Sequence, residues 1–308
     1  MVSKNKNPAE PDVPNPESRV PKRFRIPNPE SRVPSPEKVP SPESRVPNPG
    51  IRMEQVCYAV GGREILNGFD LHLERGVNRT ILGVSGAGKT TILKLLLGLL
   101  QPDRGKIYID GQCLYGLSER DLTRVRRKIA IVFQGGALFD SMTVGENVGY
   151  RLLEERRHTD KEIEGVVREK LRFVGLEQAI DLYPAELSGG MKKRAAIARA
   201  LAAEPDYIFF DEPTTGLDPI GVYNIRHLML DLQKTGKTTL MVTHDMETAF
   251  AVSDRFSFLH QARLIFEGTR DEMLATTLPE LSEFFSPSAR SLFVASSETG
   301  ESRIEKGA

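Results

Sequence analysis

The sequence lacks tryptophan and has only two cysteines, Cys57 and Cys113, among 308 residues. Two cysteines without a spacing pattern do not form a disulfide framework, which favours a reducing compartment such as the cytosol. The chain also lacks any uninterrupted apolar run of about 18 residues, the length that a membrane-spanning helix requires. No apolar segment follows the first lysines, so the sequence predicts no secretory signal. Any membrane role is therefore expected to come through a partner protein.

Net charge is also absent, because 42 Lys and Arg residues balance 42 Asp and Glu residues. A balanced chain gives no electrostatic reason to expect nucleic acid as a partner. The hydrophobic fraction of 39% is ordinary for a protein that buries a core.

Residues 1–50 differ in composition from the rest, since they hold 13 of the 20 prolines and repeat segments such as VPNPESR and VPSPESR. Closely spaced proline blocks both helix and sheet, and too few large apolar side chains remain to offset the entropy of ordering. The segment is predicted to be a disordered tail rich in polyproline II. Two roles stay open, a solvated spacer or a docking tail for a partner or an anionic surface.

The folded part is predicted to start near Ile51 and to end near residue 275. Two strands around the Gly61-Gly62 turn are followed by apolar strands that alternate with helices, which predicts a mostly parallel central sheet of α/β class with an antiparallel β subdomain. Helical periodicity dominates the stretch from 141 to 203, so we expect an inserted helical subdomain at about 138–203. Residues 276–308 are predicted to be a partly disordered extension, with four apolar residues that are candidates for docking on a surface: Phe284, Phe285, Leu292 and Phe293.

The segment GVSGAGKTT (83–91) follows an apolar strand and precedes a helix. This is the context and the pattern of a phosphate-binding loop, in which glycines let backbone amides point at phosphate oxygens. Lys89 adds a positive charge, and the Thr90 hydroxyl is suited to Mg²⁺. The segment therefore predicts nucleotide binding.

Two further segments carry chemistry. YIFFDEP (207–213) is a uniformly apolar strand that ends in two acids, of which Asp211 is predicted to hold Mg²⁺ and Glu212 to polarise the attacking water. LSGGM (187–191) places a serine and two glycines at a helix start, which favours a second anion site but is also typical of a simple helix cap.

Taken in order, these motifs resemble the ATP-binding cassette (ABC) ATPases, a P-loop NTPase family, from Tyr58 to about Gly268. Tyr58 resembles the aromatic residue that stacks on adenine, Gln134 the Q-loop glutamine, GLD (216–218) the D-loop, and His244 the switch histidine. The resemblance implies ATP and Mg²⁺ as cofactors, with Glu212, His244 and Lys89 as catalytic residues. It implies metal binding by Thr90, Gln134 and Asp211, and nucleotide binding by Tyr58, Gly83, Ser85, Gly86, Ala87, Gly88, Lys89, Thr90, Thr91, Gln134, Ser188, Gly189, Gly190 and Asp218.

The resemblance also implies a head-to-tail dimer. Each ATP would lie between the Lys89 loop of one subunit and the Ser188–Gly190 turn of the other. The chain has one set of motifs, so we expect a homodimer or a heterodimer with a similar subunit. Met191 departs from the glutamine found in many family members, and the phosphate contact of Ser188 is expected to survive this change.

The segment FQGGALFDSMTVGENVGYRL (133–152), together with LSGGM, is similar to the ATPases of Mla/Mce-type lipid transporters. That resemblance implies a membrane permease, an MCE-domain lipid-binding protein and a peripheral location on the inner face of the cytoplasmic membrane. An ATPase for a polar-solute importer is the nearest alternative. Among ABC proteins without transport, DNA-repair members are disfavoured because Lys89 and Ser188 lie only 99 residues apart, which leaves no room for their long coiled coil. Translation factors are disfavoured because they carry two cassettes in one chain, and this chain has one set of motifs. A scaffold that binds ATP without turnover is disfavoured by the presence of Glu212 and His244.

Overall fold

The structure is a computed structural model that describes residues 50–285. Ten strands and nine α-helices lie in that range. The strands are β1 (Ile51–Val60), β2 (Arg63–Leu73), β3 (Asn78–Leu82), β4 (Arg104–Ile109), β5 (Gln112–Cys113), β6 (Ile129–Val132), β7 (Tyr207–Asp211), β8 (Thr238–Thr243), β9 (Arg255–His260) and β10 (Arg263–Gly268). The helices are α1 (Lys89–Leu96), α2 (Glu119–Arg126), α3 (Val144–Glu155), α4 (Asp160–Phe173), α5 (Gly189–Ala202), α6 (Pro219–Gln233), α7 (Met246–Val252), α8 (Arg270–Ala275) and α9 (Pro279–Phe284).

The central sheet has six strands in the order β10-β9-β3-β8-β7-β6. Neighbouring strands from β9 to β6 run parallel, and only the pairing of β10 with β9 is antiparallel within the described residues. Side chains of β7 alternate between two buried clusters, with Tyr207 and Phe209 in one and Ile208 and Phe210 in the other. Both faces of the strand are therefore covered, which explains why its sequence is uniformly apolar rather than alternating.

A second sheet is antiparallel and has the order β2-β1-β4-β5. Gly61 and Gly62 form the tight turn between β1 and β2, with φ angles of 56° and 79° in the left-handed region. Asp110, directly after β4, accepts hydrogen bonds from Arg75, Lys128 and Tyr207 at 2.6, 2.7 and 2.5 Å, which joins this sheet to the central one.

Helices α3, α4 and α5 lie between β6 and β7 and form the inserted helical unit. Thr143 and Thr159 cap α3 and α4, each with a glutamate three residues later that bonds back to the cap. The predicted α/β architecture with an antiparallel and a helical addition is confirmed.

Packing continues beyond residue 275 through α9. Phe285 is buried and stacks on Phe250 of α7, while Phe284 contacts Phe258 of β9. Leu292 and Phe293, and the predicted tail up to residue 49, lie outside the described residues and stay predictions. Cys57 and Cys113 are free thiols and are half-buried. Among residues 50–285, the helices fall short of the length and apolar character needed to cross a bilayer.

Candidate nucleotide-hydrolysis site

The loop between β3 and α1 turns sharply toward the helix start. Gly86 and Gly88 have φ angles of 78° and 106°, and a Cβ on Gly88 would lie only 2.8 Å from Ile65 Cγ2. No side chain caps α1, so the amides of its first turn are left for another acceptor. Glycine is thus required at position 88 by both backbone angle and space, and the helix start is open to an anion.

Lys89 is buried and folds back over its own loop. Its Nζ donates to the carbonyl oxygens of Gly83 at 2.8 Å and Val84 at 3.1 Å, and it lies 3.3 Å from Glu212 Oε1. Two backbone carbonyls and one carboxylate oxygen thus surround the Nζ inside its own loop. The side chain is therefore positioned to exchange these carbonyls for phosphate oxygens.

The carboxylate of Asp211 lies at the carboxyl end of β7 and faces α1. Thr90 Oγ1 donates to both of its oxygens, at 3.0 and 3.1 Å. Burial raises the pKa of Asp211, and the Thr90 hydrogen bond partly offsets this effect. One hydroxyl and one carboxylate on neighbouring elements form an oxygen-donor pair suited to a hard cation.

Glu212 adopts a left-handed backbone with φ of 49°, which is uncommon for glutamate. Its carboxylate lies 3.0 Å from His244 Nδ1 and accepts from Thr243 Oγ1 at 2.9 Å. Burial raises the pKa of Glu212, but the His244 hydrogen bond, the Lys89 charge and the Thr243 hydroxyl outweigh it and bring the pKa below its usual value. Glu212 is therefore an ionised carboxylate at neutral pH, held beside Lys89 and His244.

The segment around Ser188 forms a different cleft, of about 450 Å³, between the starts of α5 and α6. Ser188 caps α5 by accepting from Met191 N at 3.3 Å, and Asp218 caps α6 by accepting from Gly221 N at 2.6 Å. Gly189 and Gly190 also line this cleft, whereas the residues of the Lys89 loop do not. Within one subunit the structure thus forms two groups of predicted site residues, not one.

The remaining predicted residues take no part in the side-chain hydrogen bonds of these two groups. Tyr58 on β1 is half-buried and packs on the core below the antiparallel sheet, and Gln134 follows β6. Of the other predicted residues, Ser85, Ala87 and Thr91 lie in or just after the loop that begins at Gly83.

Sequence reasoning did not identify two residues that contact Glu212. Thr243 was detectable, because it precedes His244 at the carboxyl end of β8. Lys193 was not detectable, because its Nζ donates to the backbone carbonyls of Glu212, Pro213 and Thr215. Contacts to backbone atoms require no particular residue type, so no sequence pattern indicates them.

Comparison with known proteins places this arrangement in a family. A family model described as ABC transporter matches residues 66–215. The intermembrane phospholipid transport system ATP-binding protein MlaF of Haemophilus influenzae is 40% identical over 225 residues, which are 73% of this chain and 85% of MlaF. This chain belongs to the ABC transporter ATPases. The prediction made from its motifs is confirmed, and the subunit is an ATP-binding ATPase coupled to transport.

Other relatives extend the comparison. The chloroplast protein TRIGALACTOSYLDIACYLGLYCEROL 3 of Arabidopsis thaliana is 38% identical, covering 76% of this ABC ATPase and 72% of its own length. The dimeric ATP-binding cassette MJ0796, in a post-hydrolysis state bound to ADP and Pi, superimposes with a TM-score of 0.66 at 33% identity and covers 71% of this chain and 98% of its own. The cbiO1 subunit of the Clostridium perfringens cbiONQ transporter complex superimposes with a TM-score of 0.68 at 29% identity, covering 82% and 98%. Cassettes of this kind work as dimers with a membrane permease.

Proposed function

We propose that this ABC ATPase hydrolyses Mg-ATP at a composite dimer site to move phospholipids or other hydrophobic molecules through a partner permease. The observation that carries the catalytic part is the contact of Glu212 with both Lys89 and His244, because it gathers a phosphate ligand, a carboxylate base and a histidine at one sheet edge.

Nucleotide binding rests on the Gly83–Thr91 loop. The open amides at the start of α1 supply hydrogen bonds to phosphate, and Lys89 exchanges its carbonyl partners for phosphate oxygens. Tyr58 is proposed to stack on the adenine. These contacts orient the terminal phosphate toward Glu212.

The oxygen donors of Thr90 and Asp211 fit magnesium, and Gln134 is proposed as a further ligand. Among residues 50–285 no three His, Cys, Asp or Glu side chains are arranged to hold a metal without help. This agrees with the usual binding of Mg²⁺ through one or two carboxylates together with substrate phosphates. When bound, magnesium neutralises charge on the phosphate oxygens.

Glu212 is proposed to orient the attacking water and accept its proton, which requires the ionised form that its lowered pKa supports. His244, hydrogen-bonded to that carboxylate, is proposed to contact the terminal phosphate. Both residues act from the carboxyl ends of neighbouring strands, which is where ligands bind in open parallel sheets.

The second half of the site is proposed to come from another copy of the chain. Ser188, Gly189 and Gly190 lie in a cleft apart from their own subunit's Lys89 loop, so they are available to a neighbour's triphosphate. Asp218 at the start of α6 borders the same cleft. The dimeric state of the MJ0796 cassette, with ADP and Pi bound, supports this arrangement for a homodimer.

The substrate class is inferred from the relatives. MlaF is named for intermembrane phospholipid transport, and this chain shares 38% identity with MlaF of Escherichia coli K12 over 235 residues. We extend this to a permease and an MCE-domain lipid-binding protein as partners, and to a peripheral location on the inner face of the cytoplasmic membrane. A polar substrate is the second candidate, because the Mycobacterium leprae relative mkl, 37% identical, is named for probable ribonucleotide transport.

Two measurements test the proposal on the complex purified with its permease. Glu212→Gln is expected to retain ATP binding, abolish hydrolysis and accumulate a nucleotide-bound dimer, and unchanged hydrolysis would refute the assignment of Glu212. ATP-dependent transfer of labelled phospholipid between the complex and acceptor vesicles is expected for the wild type only. Co-purification of a soluble polar-solute receptor, with no phospholipid transfer, would decide for the second candidate.

A further inference from the structure

Lys193 lies on α5, five residues after Ser188, and its side chain is buried. The Nζ donates to the carbonyl oxygens of Pro213 at 2.7 Å, Thr215 at 2.8 Å and Glu212 at 3.2 Å. An ammonium group has three N–H donors, so these three carbonyls use its full capacity. Helix α5 is thereby attached to the backbone that follows β7.

Burying an ammonium group costs free energy, and an apolar side chain would avoid that cost if the position served packing alone. Burial lowers the pKa of Lys193 to about 8, and the charge of Glu212 acts in the opposite direction. No carboxylate lies within salt-bridge distance of its Nζ among the described residues. The ammonium is therefore stabilised by the dipoles of the three backbone carbonyls. Three carbonyl oxygens of the turn thus converge on the Lys193 ammonium.

The turn that Lys193 holds is the one that directs the Glu212 side chain. Glu212 has a left-handed backbone, its carbonyl accepts from Thr215 N at 3.3 Å, and its carboxylate accepts from Thr215 Oγ1 at 3.2 Å. A left-handed glutamate persists only where surrounding contacts fix it. Lys193 supplies such contacts on both sides of the following proline.

We propose that Lys193 is a positioning residue, which fixes the Glu212–Thr215 turn of its own subunit and so keeps the Glu212 carboxylate in line for hydrolysis. The inference rests on the proposed catalytic role of Glu212. It differs from a role at the neighbour's nucleotide, which the start of α5 would serve through Ser188. The two roles act on different ATP molecules of the dimer and are therefore separable.

Steady-state ATPase measurements on the full complex with its permease give the first test. Lys193→Met, of similar length but without donors, is expected to lower kcat by about ten-fold or more while KM for ATP changes less than about two-fold. Lys193→Arg, which keeps charge and donors, is expected to recover part of kcat. Lys192→Met is the matched control, because Lys192 is only half-buried on the same helix and is expected to keep wild-type kcat.

A mixed dimer with two differently tagged copies gives the second test. Glu212→Gln in one copy leaves a single working carboxylate in the other. Lys193→Met is then placed either in the copy with the working carboxylate or in the Glu212→Gln copy. The readout is single-turnover hydrolysis, which does not require the dimer held closed by the Glu212→Gln copy to reopen. Relative to the mixed dimer with Glu212→Gln alone, we expect a loss of about ten-fold in the first arrangement and little change in the second, because the proposed effect stays within one subunit.

The outcomes separate cleanly. Equal loss in both arrangements, or loss only in the second, would overturn the inference and assign Lys193 to the neighbour's site. Unchanged kcat in Lys193→Met would overturn it as well, even if the melting temperature fell. If Lys193→Met does not assemble, Lys193→Gln keeps neutral donors and is measured instead, with the same arrangements and criteria. Hydrolysis that survives Glu212→Gln in both copies would refute the proposed function itself.

Discussion

Replacement of Asn147 by alanine tests whether one side chain holds the loop that leads from Gln134 into the helical unit. Asn147 on α3 is fully buried. Its Nδ2 lies 3.0, 3.1 and 2.9 Å from the carbonyl oxygens of Phe139, Met142 and Thr143, and its Oδ1 accepts from Phe139 N at 2.8 Å. All four contacts are to backbone atoms, and alanine at position 147 removes every one of them.

The expected loss of stability in Asn147→Ala follows from the backbone groups that lose their hydrogen-bond partner. The amide has two hydrogens and one bonded acceptor, so at least three hydrogen bonds are lost, each with a net contribution of about 0.5–1.5 kcal/mol. The loop reaches solvent at Phe139, which is 42% exposed, so water can satisfy part of the freed backbone. We therefore expect Asn147→Ala to lower the free energy of unfolding by about 3 kcal/mol.

Urea denaturation of the purified chain measures this difference, with Asn67→Ala as the control. Asn67 donates one side-chain hydrogen bond to Glu64 at 2.9 Å in a more exposed setting, so its loss is expected to cost less than about 1 kcal/mol. The reasoning is refuted if Asn147→Ala costs no more than Asn67→Ala. It is also refuted if a large loss appears with Asn147→Asp but not with alanine, since that would identify carboxylate repulsion rather than lost bonds.

Three further predictions concern catalysis and the contacts between secondary-structure elements. Thr90→Val removes the hydroxyl that donates to Asp211, and Mg-dependent hydrolysis is expected to fall about 100-fold with unchanged melting temperature; wild-type turnover would contradict the proposed metal site. Burial raises the pKa of Asp110, but hydrogen bonds from two cationic side chains and a tyrosine bring it below its usual value, so its stabilisation is present above about pH 4 and is lost as pH falls further. Asp110→Asn should therefore cost about 2 kcal/mol in urea denaturation at pH 7 and much less at pH 3, and an equal cost at both would exclude the charge as the cause. Arg226→Met removes the hydrogen bond from α6 to Thr248 and the 3.6 Å ion pair with Asp245, which is next to the switch histidine. The kcat is expected to fall several-fold with KM unchanged. An unchanged kcat would show that these contacts between α6 and α7 are only structural.

Much of the fold could be predicted because its signals are local. The apolar strand that ends at Asp211 is buried on both faces, and its sequence shows this directly. The phosphate-binding loop could be predicted for the same reason, since Gly86 and Gly88 occupy left-handed positions that a short pattern identifies. Each of these features depends on residues adjacent in sequence, so one segment is enough to predict it.

The residues that sequence reasoning missed act through contacts distant in sequence. Lys193 contacts a turn about 20 residues away, and Asn147 contacts a loop that has no regular structure. In both cases the partners are backbone carbonyls, which every residue possesses, so no partner residue type signals the contact. The packing of Phe285 on Phe250 was equally hidden, because the sequence alone left residues 276–308 open between docked and disordered.

Met191 shows why a departure from a family motif need not disturb its geometry. Ser188 is held by the backbone amide of residue 191, a donor that any residue except proline provides. The Met191 side chain instead packs against the helical core while lining the cleft at the start of α5. The serine hydroxyl and the two glycine amides are thus oriented without help from the side chain at position 191. Met191→Gln is therefore expected to keep the Ser188 cap on α5 and to change ATP-dependent dimerisation, because the side chain at position 191 lines the cleft that is proposed to receive the neighbouring subunit's triphosphate.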